Sequence, residues 1–146
     1  MKKYFIALMV AAIVLPSLYA AVSPSLYSSE VEWHNYNEAR AMNSEKPIFV
    51  FAKMRFCLTC AEMEKDVFTD PKLAEILNEN FIPVQETINF ALSKFVFDDL
   101  KDKEGEQLTF RGFPAVMIVI GTDYSLSHGY KSAEELVTIL NKTLNN

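Results

Sequence analysis

The chain has only two cysteines, and both fall in the stretch Phe-Cys-Leu-Thr-Cys at residues 56–60. A disulfide that stabilises a fold gains most by closing a long loop. Cys57 and Cys60 enclose only Leu58 and Thr59, so a structural staple is a poor reading. Histidine is equally scarce, with His34 and His128 both far from the pair in sequence. Nothing in the sequence near the cysteines indicates a strongly acidified thiol, and a metal site built on the two histidines is not expected. The chain also lacks a basic excess. Acidic residues number 19 against 14 lysines and arginines, which leaves no electrostatic footprint for nucleic acid. Internal repeats, low-complexity tracts and long charge runs are absent.

Long hydrophobic runs are missing too, apart from one. Residues 4–15 are almost unbroken apolar sequence, but a membrane span needs roughly 20 residues. Lys2 and Lys3 precede the run, Pro16 and Ser17 break it, and Ala20 supplies a small residue. This is the layout of a secretory signal peptide over residues 1–20; the rival is an uncleaved anchor. No cysteine follows the run to carry a lipid. Cleavage removes two lysines and no acid, so the formal net charge of −5 becomes −7. What remains suits one domain. Export would put the cysteines in an oxidising compartment.

Residues 21–31 are small, polar and proline-bearing, a flexible lead-in, and the domain proper is expected over 32–146. Residues 33–46 look helical, with Asn35 and Glu38 spaced as a capping box and Ala39 and Met42 on the inner face. Pro47 ends that segment. Residues 48–52, Ile-Phe-Val-Phe-Ala, read as a strand buried on both faces. Helical spacing resumes from Cys57 through Cys60, Met63, Val67 and Phe68. A further helix opens with Asp70 as cap and Pro71 in its first turn, burying Leu73, Ile76 and Leu77. Residues 81–88 read as a strand, and Pro83 points to a sheet edge. Residues 89–110 suit a helix through Leu100 and then a polar loop; an extra strand is the alternative. Residues 113–121 are the clearest strand. A turn over residues 121–124 leads to a hairpin partner, and a helix capped by Ser132 and Glu135 closes the chain, with Leu136, Ile139, Leu140 and Leu144 on one face.

This order makes an α/β sheet with helices on both faces. The cysteine pair falls where a buried strand passes into a helix. Free backbone N–H groups and the helix dipole there favour a thiolate on the first cysteine. The second, one turn later, is near enough to attack a mixed disulfide.

With those pieces in that order, the sequence resembles the thioredoxin superfamily. It is most similar to exported thioredoxin-like proteins such as the C-terminal domain of the thiol:disulfide interchange protein DsbD. The resemblance spans roughly residues 31–145 and rests on "FCLTCAEMEKDVFTDPKLAEILNENFIPV", the preceding buried strand, "RGFPAVMIV" and "GYKSAEELVTIL". It implies a thioredoxin fold: a central mixed β-sheet flanked by helices, with an N-terminal extension helix. It implies a thiol–disulfide oxidoreductase, with Cys57 as nucleophile and Cys60 as resolving thiol. Pro114 stands where the family has its cis-proline, and Phe56, Phe113 and Pro114 would border an extended substrate segment that pairs by strand addition. The disulfide itself would be the only cofactor. Disulfide-bearing exported proteins would be substrates in the periplasm, and a membrane-embedded thiol reductase would supply electrons.

Three positions depart from the family pattern. Phe56 replaces the usual Trp, Ala115 a common Thr, and Phe51 the buried acid that accepts a proton from the resolving cysteine, which puts that route in doubt. Around the pair, Lys53 and Arg55 can favour the Cys57 thiolate by charge, Thr59 can donate to a sulfur, and Glu62 and Glu64 read as solvated helix residues. Two readings compete with exchange. Met54, Cys57, Cys60 and Met63 run Met-x-x-Cys-x-x-Cys-x-x-Met, soft ligands that suit Cu(I), although Met63 also reads as a core residue. The other is a non-catalytic thioredoxin-like binding module.

Overall fold

The computed structural model describes residues 30–89, 96–101 and 104–145. The expected signal peptide and nearly all of the lead-in lie outside the described residues, as do 90–95, the middle of the helix expected through Leu100. Among the described residues eight elements follow in order: α1 (Tyr36–Ala41), β1 (Ile48–Lys53), α2 (Leu58–Asp66), α3 (Pro71–Asn80), β2 (Ile82–Thr87), β3 (Ala115–Ile120), β4 (Asp123–His128) and α4 (Ala133–Leu144).

The four strands form one sheet in the order β2-β1-β3-β4. β1 runs parallel to β2, with Ile48 opposite Ile82. It runs antiparallel to β3, which pairs antiparallel with β4. β1 is thus an inner strand. Phe49 and Phe51 enter the core on one face; Ile48, Val50 and Ala52 enter it on the other. That double burial is why its sequence is a continuous apolar run instead of an alternating one. On the Phe49 face pack α2, α3 and α4, through Cys60, Met63, Leu73, Leu77, Leu136 and Leu140. On the other lie α1 and residues 97–100 and 108–110, through Tyr36, Ala39, Phe97, Leu100, Leu108 and Phe110.

The helix starts follow from local chemistry. Asp70 accepts from the Leu73 N–H, with Pro71 in the first turn. Ser132 and Glu135 make a reciprocal capping box on α4, and Asn35 and Glu38 make one on α1. Each cap satisfies backbone donors that a helix start leaves open.

Three expectations need correction. The first helix is shorter than residues 33–46. His34 is taken by the sheet edge, where its N–H donates to Pro83 O at 2.9 Å and its carbonyl accepts from Gln85 N–H at 3.0 Å. β2 is indeed an edge strand, and this single bridge covers part of it. Because α1 stops at Ala41, Met42 turns outward and is 46% exposed while Ala39 is buried. In the hairpin, Asp123 already pairs with Ile120. The loop is therefore Gly121 and Thr122 alone, with Gly121 at φ 64°, where a residue without Cβ fits. Finally, Leu144 is exposed and not part of the buried face of α4.

Candidate active site

β1 ends at Lys53, and after four intervening residues α2 starts at Leu58. Phe56 makes that turn with φ 61°, a conformation uncommon for an aromatic residue. Its ring is 99% exposed. Cys57 is the N-cap of α2; its Sγ accepts the Cys60 N–H at 3.2 Å and is joined to Cys60 Sγ in a disulfide. The two differ sharply in access. Cys57 is half-buried at the rim of the core, whereas Cys60 is 1% exposed inside it. One helical turn separates them, which puts both on one face. Thr59 is exposed; the hydrogen bond to sulfur comes from the Cys60 backbone.

The inner side of the pair is dry. Cys60 belongs to the same buried cluster as Phe51, Met63, Val67 and Phe68. Phe51 is fully buried, its ring 4.7 Å from Phe68 and 6.3 Å from Trp33. Among the described residues no polar or charged residue is fully buried. An apolar surround disfavours a charged sulfur at Cys60, while the helix start favours one at Cys57.

A charged cluster sits nearby. The Lys53 ammonium pairs with Glu64, and Gln85 Nε2 donates to the same Glu64 oxygen at 2.8 Å. Lys53, Phe51 and Phe49 alternate onto the α2 face of β1, and Gln85 is the register partner of Phe51. Glu64 is therefore a part-buried tie between α2 and the sheet, not a solvated helix residue, and it takes up the Lys53 charge. Arg55 is exposed.

The Phe113–Pro114 peptide is cis. Pro114 is buried, and its carbonyl accepts the Gly129 N–H at 2.8 Å. Phe113 stacks on Phe110 at 5.6 Å and packs against both core clusters. Cys57 and Phe113 thus border one apolar cluster, on which Cys60 lies inside; Phe56 points away into solvent. Sequence reasoning missed His128, which lies beside this loop because β4 pairs it with Ala115. A histidine 68 or more residues from the cysteines gives no local signal; only the hairpin register brings it there.

Of the four residues read as soft copper ligands, the two methionines differ in access. Met63 is fully buried in the core, Met54 is 38% exposed, and the two cysteines are bonded to each other. Among the described residues no group of three or more His, Cys, Asp or Glu is placed to hold a metal ion. His34 lies on the β2 edge and His128 on β4, at opposite sides of the sheet. Among those residues, also, no helix is long and apolar enough to cross a membrane. The redox-capable feature is the Cys57–Cys60 disulfide.

Residues 32–120 match the model of a family described as thioredoxin-like. No curated protein matches the chain. Solved structures do. A thioredoxin from Thermus thermophilus is 15% identical, with a TM-score of 0.61 over 79% of this chain and 88% of its own. A DsbH oxidoreductase is 13% identical, with a TM-score of 0.59 over 85% and 91%. The reduced C-terminal domain of Neisseria meningitidis DsbD is 17% identical, with a TM-score of 0.50 over 73% and 89%. At such identities these likenesses speak for the fold, and they do not single out the DsbD domain. With a strand-to-helix Cys-x-x-Cys disulfide on a mixed four-stranded sheet, the chain belongs to the thioredoxin-like family.

Proposed function

We propose that this chain is a thiol–disulfide oxidoreductase that reduces or isomerises disulfides of exported proteins in the periplasm. The observation that carries the reading is the unequal pair: a half-buried Cys57 capping α2, bonded to a Cys60 sealed in the core. The Cys57 thiolate attacks one sulfur of a substrate disulfide; the other substrate sulfur leaves as thiolate. Cys60, deprotonated, then attacks Cys57 in the mixed disulfide. The second substrate sulfur leaves, and the pair is oxidised by the two electrons the substrate gained. A dithiol donor must return those electrons, and a membrane-embedded thiol reductase is the partner we assign. Phe56, Phe113 and Pro114 border the extended substrate segment; the resemblance to relatives that bind substrate by strand addition supports this.

The test is a trapping series. Mild alkylation of the reduced protein labels Cys57 before Cys60. Cys60→Ser accumulates a mixed disulfide with substrate, and Cys57→Ser forms none. First labelling at Cys60 reverses the roles. Unchanged partner affinity with both cysteines replaced by Ser makes the chain a binding module instead.

A further inference from the structure

The segment before Pro114 is held at both ends from one place. His128 ends β4, and its Nε2 accepts the Arg111 backbone N–H at 3.2 Å. Its neighbour Gly129 donates to the Pro114 carbonyl at 2.8 Å. Residues 111–114 are thereby fastened to the end of β4 by two hydrogen bonds. The Gly129 bond joins backbone to backbone, and neither group titrates. The His128 bond is different in kind. A neutral imidazole accepts at Nε2 when its proton is on Nδ1; the imidazolium has two donors and no acceptor. Acid therefore turns the partner of the Arg111 N–H into a second donor.

Two cationic residues are hydrogen-bonded to His128. Arg111, whose N–H it accepts, is a cation. Lys131 donates from Nζ to the His128 carbonyl at 3.0 Å and to the Gly129 carbonyl at 3.5 Å. On β3 the register partner is Ala115, which carries no charge. Among the described residues no carboxylate is hydrogen-bonded or ion-paired to His128. A protonated ring would have no acceptor role left.

We propose that His128 is a positioning residue that holds residues 111–114, whose Phe113 borders the same apolar cluster as Cys57, only while its ring is neutral, so that acid loosens this backbone. The consequence for turnover rests on the exchange reading above; the hydrogen bond does not. Reaction with a small disulfide needs only Cys57. Reaction with an extended peptide also needs residues 111–114 in place. The ratio of the two rates cancels the titration of Cys57 itself.

The experiment has two arms. In the first, backbone amide signals of the oxidised protein are followed by NMR from about pH 5 to about pH 8, where histidine side chains change charge. The Arg111 amide should move together with the His128 ring, and should not move in His128→Gln, whose amide oxygen accepts at any pH. An Arg111 amide that stays still while the ring titrates overturns the proposal. In the second arm, the reduced protein reacts with a disulfide-linked extended peptide free of titratable residues and, separately, with a small aromatic disulfide. The peptide-to-small rate ratio should fall about fivefold from pH 8 to pH 5, the scale of one neutral hydrogen bond. It should be constant in His128→Gln and low throughout in His128→Leu. A flat ratio in the unaltered protein, or an equal fall in His128→Gln, overturns the proposal and leaves exchange standing. If neither disulfide reacts, the exchange reading fails, and the amide titration alone decides on the histidine.

Discussion

Replacing Phe51 by Asp tests whether the space beneath the redox pair is dry. Phe51 is fully buried, with Phe68 and Trp33 against its ring and Gln85 and Val116 as its register partners. Loss of a buried aromatic ring costs about 3–5 kcal/mol. A polar group left there without a partner adds about 1–3 kcal/mol. The nearest cation on the same strand face, Lys53, is engaged by Glu64. The sum, about 4–8 kcal/mol, is comparable to the whole stability of an ordinary domain, roughly 5–15 kcal/mol. The pH dependence has a definite sign. Burial without a partner raises the carboxyl of the new Asp above its unfolded value of about 3.9. The folded state then holds the proton longer than the unfolded state. The variant is therefore penalised least below about pH 4, and the penalty grows as pH rises. Urea denaturation of the oxidised protein at pH 4, 6 and 8 reads both effects. Phe51→Leu, which keeps most of the apolar volume, should cost far less and show no such dependence. If Phe51→Asp stays within about 1 kcal/mol of the unaltered protein, or its deficit is the same at every pH, water or a cation reaches the site, and the dry-core account of Cys60 is wrong.

Phe56→Gly should raise stability by about 0.5–1 kcal/mol, because relief of a left-handed backbone, roughly 1–2 kcal/mol, exceeds the entropy glycine adds to the unfolded chain; since the exposed ring makes no core contact, a loss above 1 kcal/mol in thermal unfolding would refute this. The same variant should slow reaction with an extended peptide and leave a small disulfide unaffected. Equilibration in glutathione buffers, followed by trapping and mass measurement, should give a potential of roughly −180 to −270 mV. The helix start and the apolar surround of the pair oppose each other, and the Lys53 charge is taken up by Glu64; a value near −120 mV would make the protein an oxidant. Tyr36→Phe should cost about 1–2 kcal/mol at pH 7, since the phenol donates to Asp99 at 3.1 Å. Burial and then the Asp99 carboxylate push that phenol well above its usual range. Its contribution is full below about pH 10 and is lost as pH rises further. The gap between the two proteins should close in alkali; a constant gap in denaturant melts from pH 7 to pH 11 would refute the assignment.

Much of this architecture is local, and local features are legible in sequence. Asn35 with Glu38, Asp70 with Pro71, and Ser132 with Glu135 each satisfy open helix donors within one turn of chain, so the residues alone mark where helices begin. The unbroken run at β1 marks a strand covered on both faces, because no position on it meets water. The Cys-x-x-Cys spacing at a strand-to-helix junction carried the redox reading for the same reason: both sulfurs sit on one helical turn. Tertiary structure decided what depends on distant partners. Trp33 and His34 have helical neighbours, but the open edge of β2 offers His34 two backbone hydrogen bonds that a helix start does not. Glu64 looks like a surface carboxylate until β1 and β2 bring Lys53 and Gln85 to it. His128 looks unrelated to the cysteines until the β3–β4 register sets it opposite Ala115 and within reach of the Arg111 N–H. Sequence spacing reports neighbours within a turn or a hairpin loop; a side chain whose partner arrives by strand pairing is revealed only when the sheet has formed.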